Sequence, residues 1–160
     1  MKVIRTTWET NSSSSHSLAY SNECFNDLVV VDGTITVGTD EYGWVGDPCV
    51  TASEKLEYAV VMLLMTEYPD FEYGDGDFKI EQAVLESLDG YKLLLKAINE
   101  ETTCNKIVIE RDDYCQFPYG YIDHQSCDYE SLASFFHCND TDAHDFLFGK
   151  CEVLIDNDNH

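Results

Sequence analysis

The stretch TASEKLEYAVVMLLMTEYP, residues 51–69, decides the fold of this chain. Its first four residues, Thr51 to Glu54, match the capping box, in which a threonine and a glutamate three positions later satisfy each other's backbone N–H groups. Apolar residues then recur at helical spacing until Tyr68-Pro69 ends the pattern: Leu56, Ala59, Val60, Leu63 and Leu64. We therefore predict a core helix over this stretch.

The segment before this helix predicts strands and a structured loop. Residues 2–8 are β-branched and aromatic, which is typical of a strand. The valine-rich residues 28–31, the dipeptide Asp32-Gly33 and residues 34–37 predict a β-hairpin, because Asp-Gly favours a tight turn of the primed type. Aromatic residues among glycines around Trp44 predict a structured loop over a cleft.

The segment after the helix predicts a mixture of helices and strands. In chain order these are a helix over about 78–98 with a possible break at Gly90, a strand over 106–110, a short helix capped by Ser126, a second short helix from about Asp140 to Gly149, and a last strand over 151–155. The pattern predicts one α+β domain, residues 1–160, with a mixed or antiparallel sheet and helices packed on one face. It does not fix the order of the strands.

The net charge of the chain is one of two strong indications of function. The chain has 31 acidic and 9 basic side chains, a formal net charge of −22. A field of this sign repels nucleic acid and anionic lipid and attracts basic protein surfaces, so direct nucleic-acid binding is not expected. Hydrophobic residues make up 44% of the chain, which is too many for a chain that stays unfolded. We expect a folded acidic protein with a basic protein partner.

Apolar runs and cysteines indicate the compartment. The sequence has neither a run of about 18 apolar residues nor the apolar segment of a signal peptide, so we expect a cytoplasmic protein without membrane contact. Its seven cysteines are an odd number, and in a reducing compartment they predict buried thiols or metal ligands rather than disulfides. Cys24 and Cys49 are expected to be buried.

Residues 9–17, ETNSSSSHS, place a histidine behind four serines and predict a turn or a strand end that faces a site. Zinc takes nitrogen, sulfur and oxygen ligands in a tetrahedral arrangement. The spacing of a histidine and a cysteine at 124 and 127 would let one loop supply two of them. The sequence thus predicts a structural zinc site among His16, Asp123, His124, Cys127 and Asp158.

The same residues allow other interpretations. A lone histidine is most often a hydrogen-bonded core or surface residue. A serine of residues 12–15 activated by His16 or His124 would be a nucleophile, but the G-x-S-x-G pattern is absent. With an open coordination position for water, the same histidines and aspartates would form a metal-dependent hydrolase. Acidic clusters such as residues 140–145 lack calcium-loop spacing and predict solvated loops or helix starts.

Four segments together resemble a family of small proteins encoded by phages of Gram-positive bacteria. They are ETNSSSSHS at 9–17, EYGW at 41–44, GYIDHQS at 120–126 and the ending over 146–158. In size and acidity the chain also resembles zinc-containing anti-CRISPR inhibitors of the type II-A RNA-guided nuclease. That resemblance implies a protein of the host bacterial cytoplasm that occupies a basic nucleic-acid channel.

We therefore expect an acidic inhibitor rather than an enzyme. Its partner would be a basic host defence protein, the type II CRISPR effector nuclease first, and it would block the loading of target DNA. A metal-dependent hydrolase is the alternative. A metal-free acidic DNA mimic directed against another host nuclease is a third possibility.

Overall fold

The computed structural model confirms an α+β fold. It describes residues 3–4, 14–21, 25–43, 46–69, 79–114, 117–122 and 129–157. Within these ranges the helices are α1 (Ala52–Glu67), α2 (Gln82–Ser87), α3 (Asp89–Glu101), α4 (Leu132–Cys138) and α5 (Ala143–Phe148). The strands are β1 (Val3–Ile4), β2 (Ser14–Tyr20), β3 (Thr34–Val37), β4 (Glu41–Tyr42), β5 (Lys106–Ile109), β6 (Tyr121–Ile122) and β7 (Cys151–Asn157).

Helix α1 is the centre of the hydrophobic core, as its sequence predicts. Thr51 is the N-cap: its hydroxyl accepts from the Glu54 N–H, and the Glu54 carboxylate accepts from the Thr51 N–H at 2.9 Å. The helix ends at Glu67, and the next N–H, of Tyr68, still bonds to the Leu64 carbonyl. Residues on all sides of α1 are buried, because three helices and strands β3 and β6 pack around it.

The strands form three small sheets. Strands β1, β2 and β7 make an antiparallel sheet in that order, and each residue of β2 has a partner in β7. Strand β3 pairs in parallel with β5, and β4 in parallel with β6. Cys49 bridges to Val153, so β7 lies between β2 and the residues just before α1.

The serine-rich segment is part of a strand rather than a turn. Residues 14–17 lie in β2, where His16 is opposite Ile155. A sheet ladder is made by backbone groups, so a run of serines pairs as well as an apolar run when a partner strand is present. Residues 9–13 lie outside the described part of the chain.

The Asp32-Gly33 turn is confirmed, but the predicted hairpin ends after one rung. Both turn residues have positive φ, 50° and 74°, and Val31 and Thr34 exchange two backbone hydrogen bonds. Residues 28–30 then add no further rung to β3. Strand β3 pairs instead with β5, and the Gly33 carbonyl accepts hydrogen bonds from backbone N–H groups at the start of β5.

The helical pattern over 78–98 is two helices, and the predicted break was wrong. The break falls at Leu88, whose ψ of 138° is extended. Gly90 lies inside α3, where a Cβ would come within 2.5 Å of a Leu63 methyl group. The glycine therefore allows the close approach of α3 to α1 and does not interrupt the helix.

The two short helices near the C-terminus, α4 and α5, are confirmed, but the predicted N-cap of α4 was wrong. Helix α4 is capped by Ser131, whose hydroxyl accepts from the Ser134 N–H. Ser126, the predicted cap, lies outside the described residues and too far before Leu132 to serve as its N-cap. Helix α5 starts after Asp142 and ends at Gly149, and β7 follows as predicted.

Candidate functional site

His16 is a buried core residue with both ring nitrogens hydrogen-bonded. It is 6% exposed. Its Nδ1 lies 2.9 Å from the Tyr58 hydroxyl, and its Nε2 lies 3.1 Å from the Gly43 carbonyl oxygen. A carbonyl can only accept, so Nε2 carries the hydrogen, and in the neutral ring Nδ1 accepts from the Tyr58 hydroxyl. The fold thereby selects one tautomer.

Tyr58 connects this histidine to the core. Its ring packs edge-on against Tyr42, with centroids 5.0 Å apart, and tilted against Phe135 at 6.2 Å. The side chain is fully buried on α1. Strands β2 and β4 and helices α1 and α4 therefore meet around the Tyr58 side chain. The His16–Tyr58 pair is part of the structural core.

Lys55 is a second buried polar group of α1. Its side chain is fully buried, and its Nζ donates to the carbonyl oxygens of Gly149 at 3.2 Å and Cys151 at 3.3 Å. These carbonyls lie at the junction between α5 and β7. The ammonium group thus ties the start of β7 to the start of α1. A lysine inside an apolar pattern gives no sequence signal of this role.

His16 is the only predicted zinc ligand whose side chain is described. Asp123, His124, Cys127 and Asp158 lie outside the described residues. A zinc ion at His16 would have to replace either the Tyr58 hydroxyl or the Gly43 carbonyl, so the described geometry fits a core histidine better than a ligand. Within the described ranges no group of three or more histidine, cysteine or acidic side chains is arranged to hold a metal ion. The zinc site stays a prediction.

Four carboxylates crowd together beside the first turns of α1. We call them the α1 carboxylate cluster: Asp27, Asp40, Glu54 and Glu57. Partial burial raises the pKa of Glu57, and the negative charges of Asp40, Glu54 and Asp27 raise it further. None of the four forms an ion pair with a cation in the described part of the chain. The described part of the chain therefore holds these like charges close together without an ion pair.

Backbone and hydroxyl donors hold the members of the α1 carboxylate cluster in place. Glu54 accepts from the N–H groups of Val50 and Thr51, which completes the capping box. Asp27 accepts from the N–H and the hydroxyl of Ser53, and Asp40 accepts from the next N–H along the chain. Glu57 follows Glu54 by three positions and so lies on the same face of the helix. The members of the cluster come from three separate segments of the chain, and each segment is held by its own hydrogen bonds.

Cys49 lies near this cluster and has an unreactive thiol. It is buried, as its sequence context predicts, and burial is the largest cause that raises its pKa to about 12. The charges of Glu54, Glu57 and Asp40 act in the same direction. A thiol with this pKa stays protonated at neutral pH, which makes Cys49 a poor nucleophile. Cys24 lies outside the described residues.

The remaining described surface is also acidic. Nearly all carboxylates with a described side chain are exposed, and Glu57 and Glu152 are the two that are half-buried. The exposed lysines of the same ranges are few: Lys79, Lys92, Lys96 and Lys150. The negative field predicted from composition is therefore a property of the surface.

A cleft of about 250 Å³ lies where the end of β2 meets the junction of α5 and β7. Tyr20, Asp140, Asp145 and Lys150 are among the residues that line it. His16 is not among its lining residues, and its described walls mix both signs of charge. It gives no indication of one class of ligand.

Comparison of the chain with family models, curated proteins and solved structures finds no match. None of the described helices is both long and apolar enough to cross a membrane. The site must therefore be interpreted from its own chemistry, and the α1 carboxylate cluster is its most unusual feature.

Proposed function

We propose that this protein is a stoichiometric inhibitor that binds a basic, nucleic-acid-binding surface of another protein and so excludes nucleic acid from it. The first candidate partner is the type II RNA-guided nuclease of the host, which holds its heteroduplex in a positively charged channel. Inhibition would be by occupation and would need no chemical step.

The observation that carries the proposal is the α1 carboxylate cluster. Like charges held together without cations disfavour the folded state, and natural proteins keep such features where function needs them. The pKa of Glu57 is raised chiefly by partial burial and further by its three acidic neighbours, which supports this interpretation. Cations on a partner would relieve this repulsion on binding, and they would also steer the encounter.

The structural zinc predicted from the sequence is a separate part of the proposal. Elemental analysis of untagged protein tests it, and we expect stoichiometric zinc if the residues around His124 and Cys127 hold the metal. A chelator should then lower the melting temperature, because binding free energy of a closed site contributes to folding. If the purified protein contains no metal, the zinc prediction is refuted and the inhibitor proposal is unaffected.

The experiment that tests the inhibitor proposal is a titration of guide-loaded nuclease with this protein, read by binding of fluorescent target DNA. We expect DNA binding to fall to zero near molar equivalence and the nuclease and guide RNA to stay intact. Apparent affinity should fall as salt rises, since screening shortens electrostatic reach to about 8 Å at physiological ionic strength. DNA binding that is unaffected at molar excess would refute this partner, and inhibition at a small fraction of an equivalent would indicate an enzyme.

A further inference from the structure

Residues 28–31, which we call the valine edge, form an extended segment with apolar side chains on both faces. Leu28 and Val30 pack against the core. Val29 and Val31 point the other way and are 71% and 63% exposed. This alternation is the pattern of a strand with one buried face.

The backbone of the valine edge is unpaired where a strand would be paired. Val31 bonds to Thr34 across the turn, and the Leu28 N–H bonds to the Asn26 side chain. The backbone groups of Val29 and Val30 form no hydrogen bond to any other described residue. Exposed β-branched side chains beside unpaired N–H and C=O groups are the features that let another chain add a strand.

The valine edge begins at the α1 carboxylate cluster and ends at the Asp32-Gly33 turn. Asp27 precedes it and is bonded to Ser53 on α1. The chain returns through β3 to Gly38, where a Cβ would lie 3.4 Å from the Glu57 carboxylate. A strand added along this edge would therefore run next to the crowded carboxylates.

Charge identifies the kind of strand that fits. Asp27 and Asp32 flank the edge, and the chain as a whole has a formal charge of −22. A second copy of the chain would bring the same anionic flanks and would be repelled. A segment with lysine or arginine at its flanks and β-branched residues between them would satisfy both the charges and the exposed valines.

We propose that the valine edge is a strand-addition site for an extended, basic segment of the partner protein. This inference rests on the proposed function only in that the partner is basic. In a strand the backbone groups of successive residues point to opposite edges, and those of Val31 bond to Thr34, so Val30 presents its N–H and C=O to the open edge and would supply the backbone hydrogen bonds. Contacts with the two exposed valines and the flanking aspartates would supply selectivity.

The test uses the full chain and, as the probe, a capped hexapeptide with a lysine at each end and valine and threonine between them. We expect the peptide to slow amide hydrogen exchange more at Val30, which faces the open edge, than at Val29. Val29→Lys should weaken peptide binding roughly tenfold. Val84→Lys is the matched control, because Val84 is also exposed, at 44%, but lies on α2. It should change binding less than about twofold. Melting temperatures of both variants would show that each is folded.

The outcomes separate this inference from the inhibitor proposal. Unchanged exchange at the edge, or equal effects of Val29→Lys and Val84→Lys, would overturn the strand-addition site. If Val29→Lys still displaces DNA from the nuclease as wild type does, the inhibitor proposal survives without it. A wild-type dimer in sedimentation that Val29→Lys disrupts would show that a second copy is the occupant and would refute a basic partner segment.

Discussion

Helix α1 has two polar regions that are built in opposite ways. On its buried side, Lys55 and Tyr58 are enclosed in the core and bonded to partners from β7 and β2. On its surface side, Glu54 and Glu57 belong to a cluster of like charges that forms no ion pair with a cation of the described residues. A satisfied buried group stabilises the fold, whereas an uncompensated cluster weakens it. The comparison suggests that the first region serves folding and the second serves binding.

The largest expected effect is on the buried side, at Lys55. Lys55→Ala removes hydrogen bonds to the Gly149 and Cys151 carbonyls and leaves a cavity, so we expect a loss of about 3 kcal/mol in the free energy of unfolding by urea denaturation. Lys55→Met keeps the packing of the stem and should lose less. Lys96→Ala, at an exposed site on α3, is the control and should stay within about 0.5 kcal/mol. Lys55→Ala as stable as wild type would show that this ammonium group does not hold β7.

Tyr58→Phe should have the next largest effect. It keeps the ring and its packing but leaves the buried Nδ1 of His16 without this donor, which costs about 1–2 kcal/mol. For a chain of this size the melting temperature should fall by roughly 2–6 °C. Tyr114→Phe removes a hydroxyl from a fully exposed tyrosine and should leave the melting temperature unchanged. An equal response of the two variants would count against the His16–Tyr58 pair.

Glu57→Gln should act in the opposite direction and raise stability. The pKa of Glu57 is higher in the folded protein than its ordinary value of 4.5. The folded state therefore binds this proton more tightly, and the destabilisation is present above the folded pKa and disappears as the pH falls through it toward 4.5. At pH 7 we expect Glu57→Gln to raise the melting temperature by roughly 1–2 °C.

The pH dependence and a matched control sharpen this result. The stability difference between Glu57→Gln and wild type should close as the pH approaches the ordinary glutamate value. Glu67→Gln, near the other end of the same helix, should show no such gap. A gap that persists at low pH would mean that the carboxylate charge is not its cause.

The smallest expected effect is at His144, which lies beside the carboxylates of Glu101 and Asp145. A hydrogen bond from His144 to Glu101, at 2.9 Å, raises the pKa of His144 above its ordinary 6.5, against a small opposing effect of burial, with Asp145 adding to the rise. This stabilisation is present below 6.5 and is lost as the pH rises through the folded pKa. NMR titration should show the raised value, and Glu101→Gln should lower it. Glu86→Gln is the control and should leave the pKa of His144 unchanged. A pKa of His144 at its ordinary value in the wild type would contradict the pairing with Glu101.

The sequence predicts what depends on neighbours along the chain and misses what depends on distant ones. The capping box at Thr51 and Glu54 and the turn at Asp32-Gly33 are local, and both were found. The partner of β3 lies about 70 residues away in β5, so the hairpin was wrongly extended over residues 28–30. Gly90 was taken for a break because nothing near it in sequence shows the Leu63 methyl group against it.

The candidate site shows the same division. The sequence predicted His16 as a zinc ligand and gave no sign of its hydrogen-bond partners Tyr58 and Gly43, which come from segments that only the fold brings together. Net charge predicted an acidic surface without locating the α1 carboxylate cluster, because its members come from three segments of the chain. The zinc hypothesis depends mainly on residues 123–127 and 158, which the described ranges do not include.

The most direct measurement compares two double variants in the displacement of target DNA from guide-loaded nuclease. Asp40→Asn with Glu57→Gln removes two charges from the α1 carboxylate cluster, and Glu67→Gln with Glu100→Gln removes two exposed charges elsewhere. If the cluster is the binding surface, the first pair should weaken displacement at least roughly tenfold and reduce its salt dependence, and the second should change it less than about threefold. Equal weakening by the two pairs, or none by either, would contradict a binding role for the α1 carboxylate cluster.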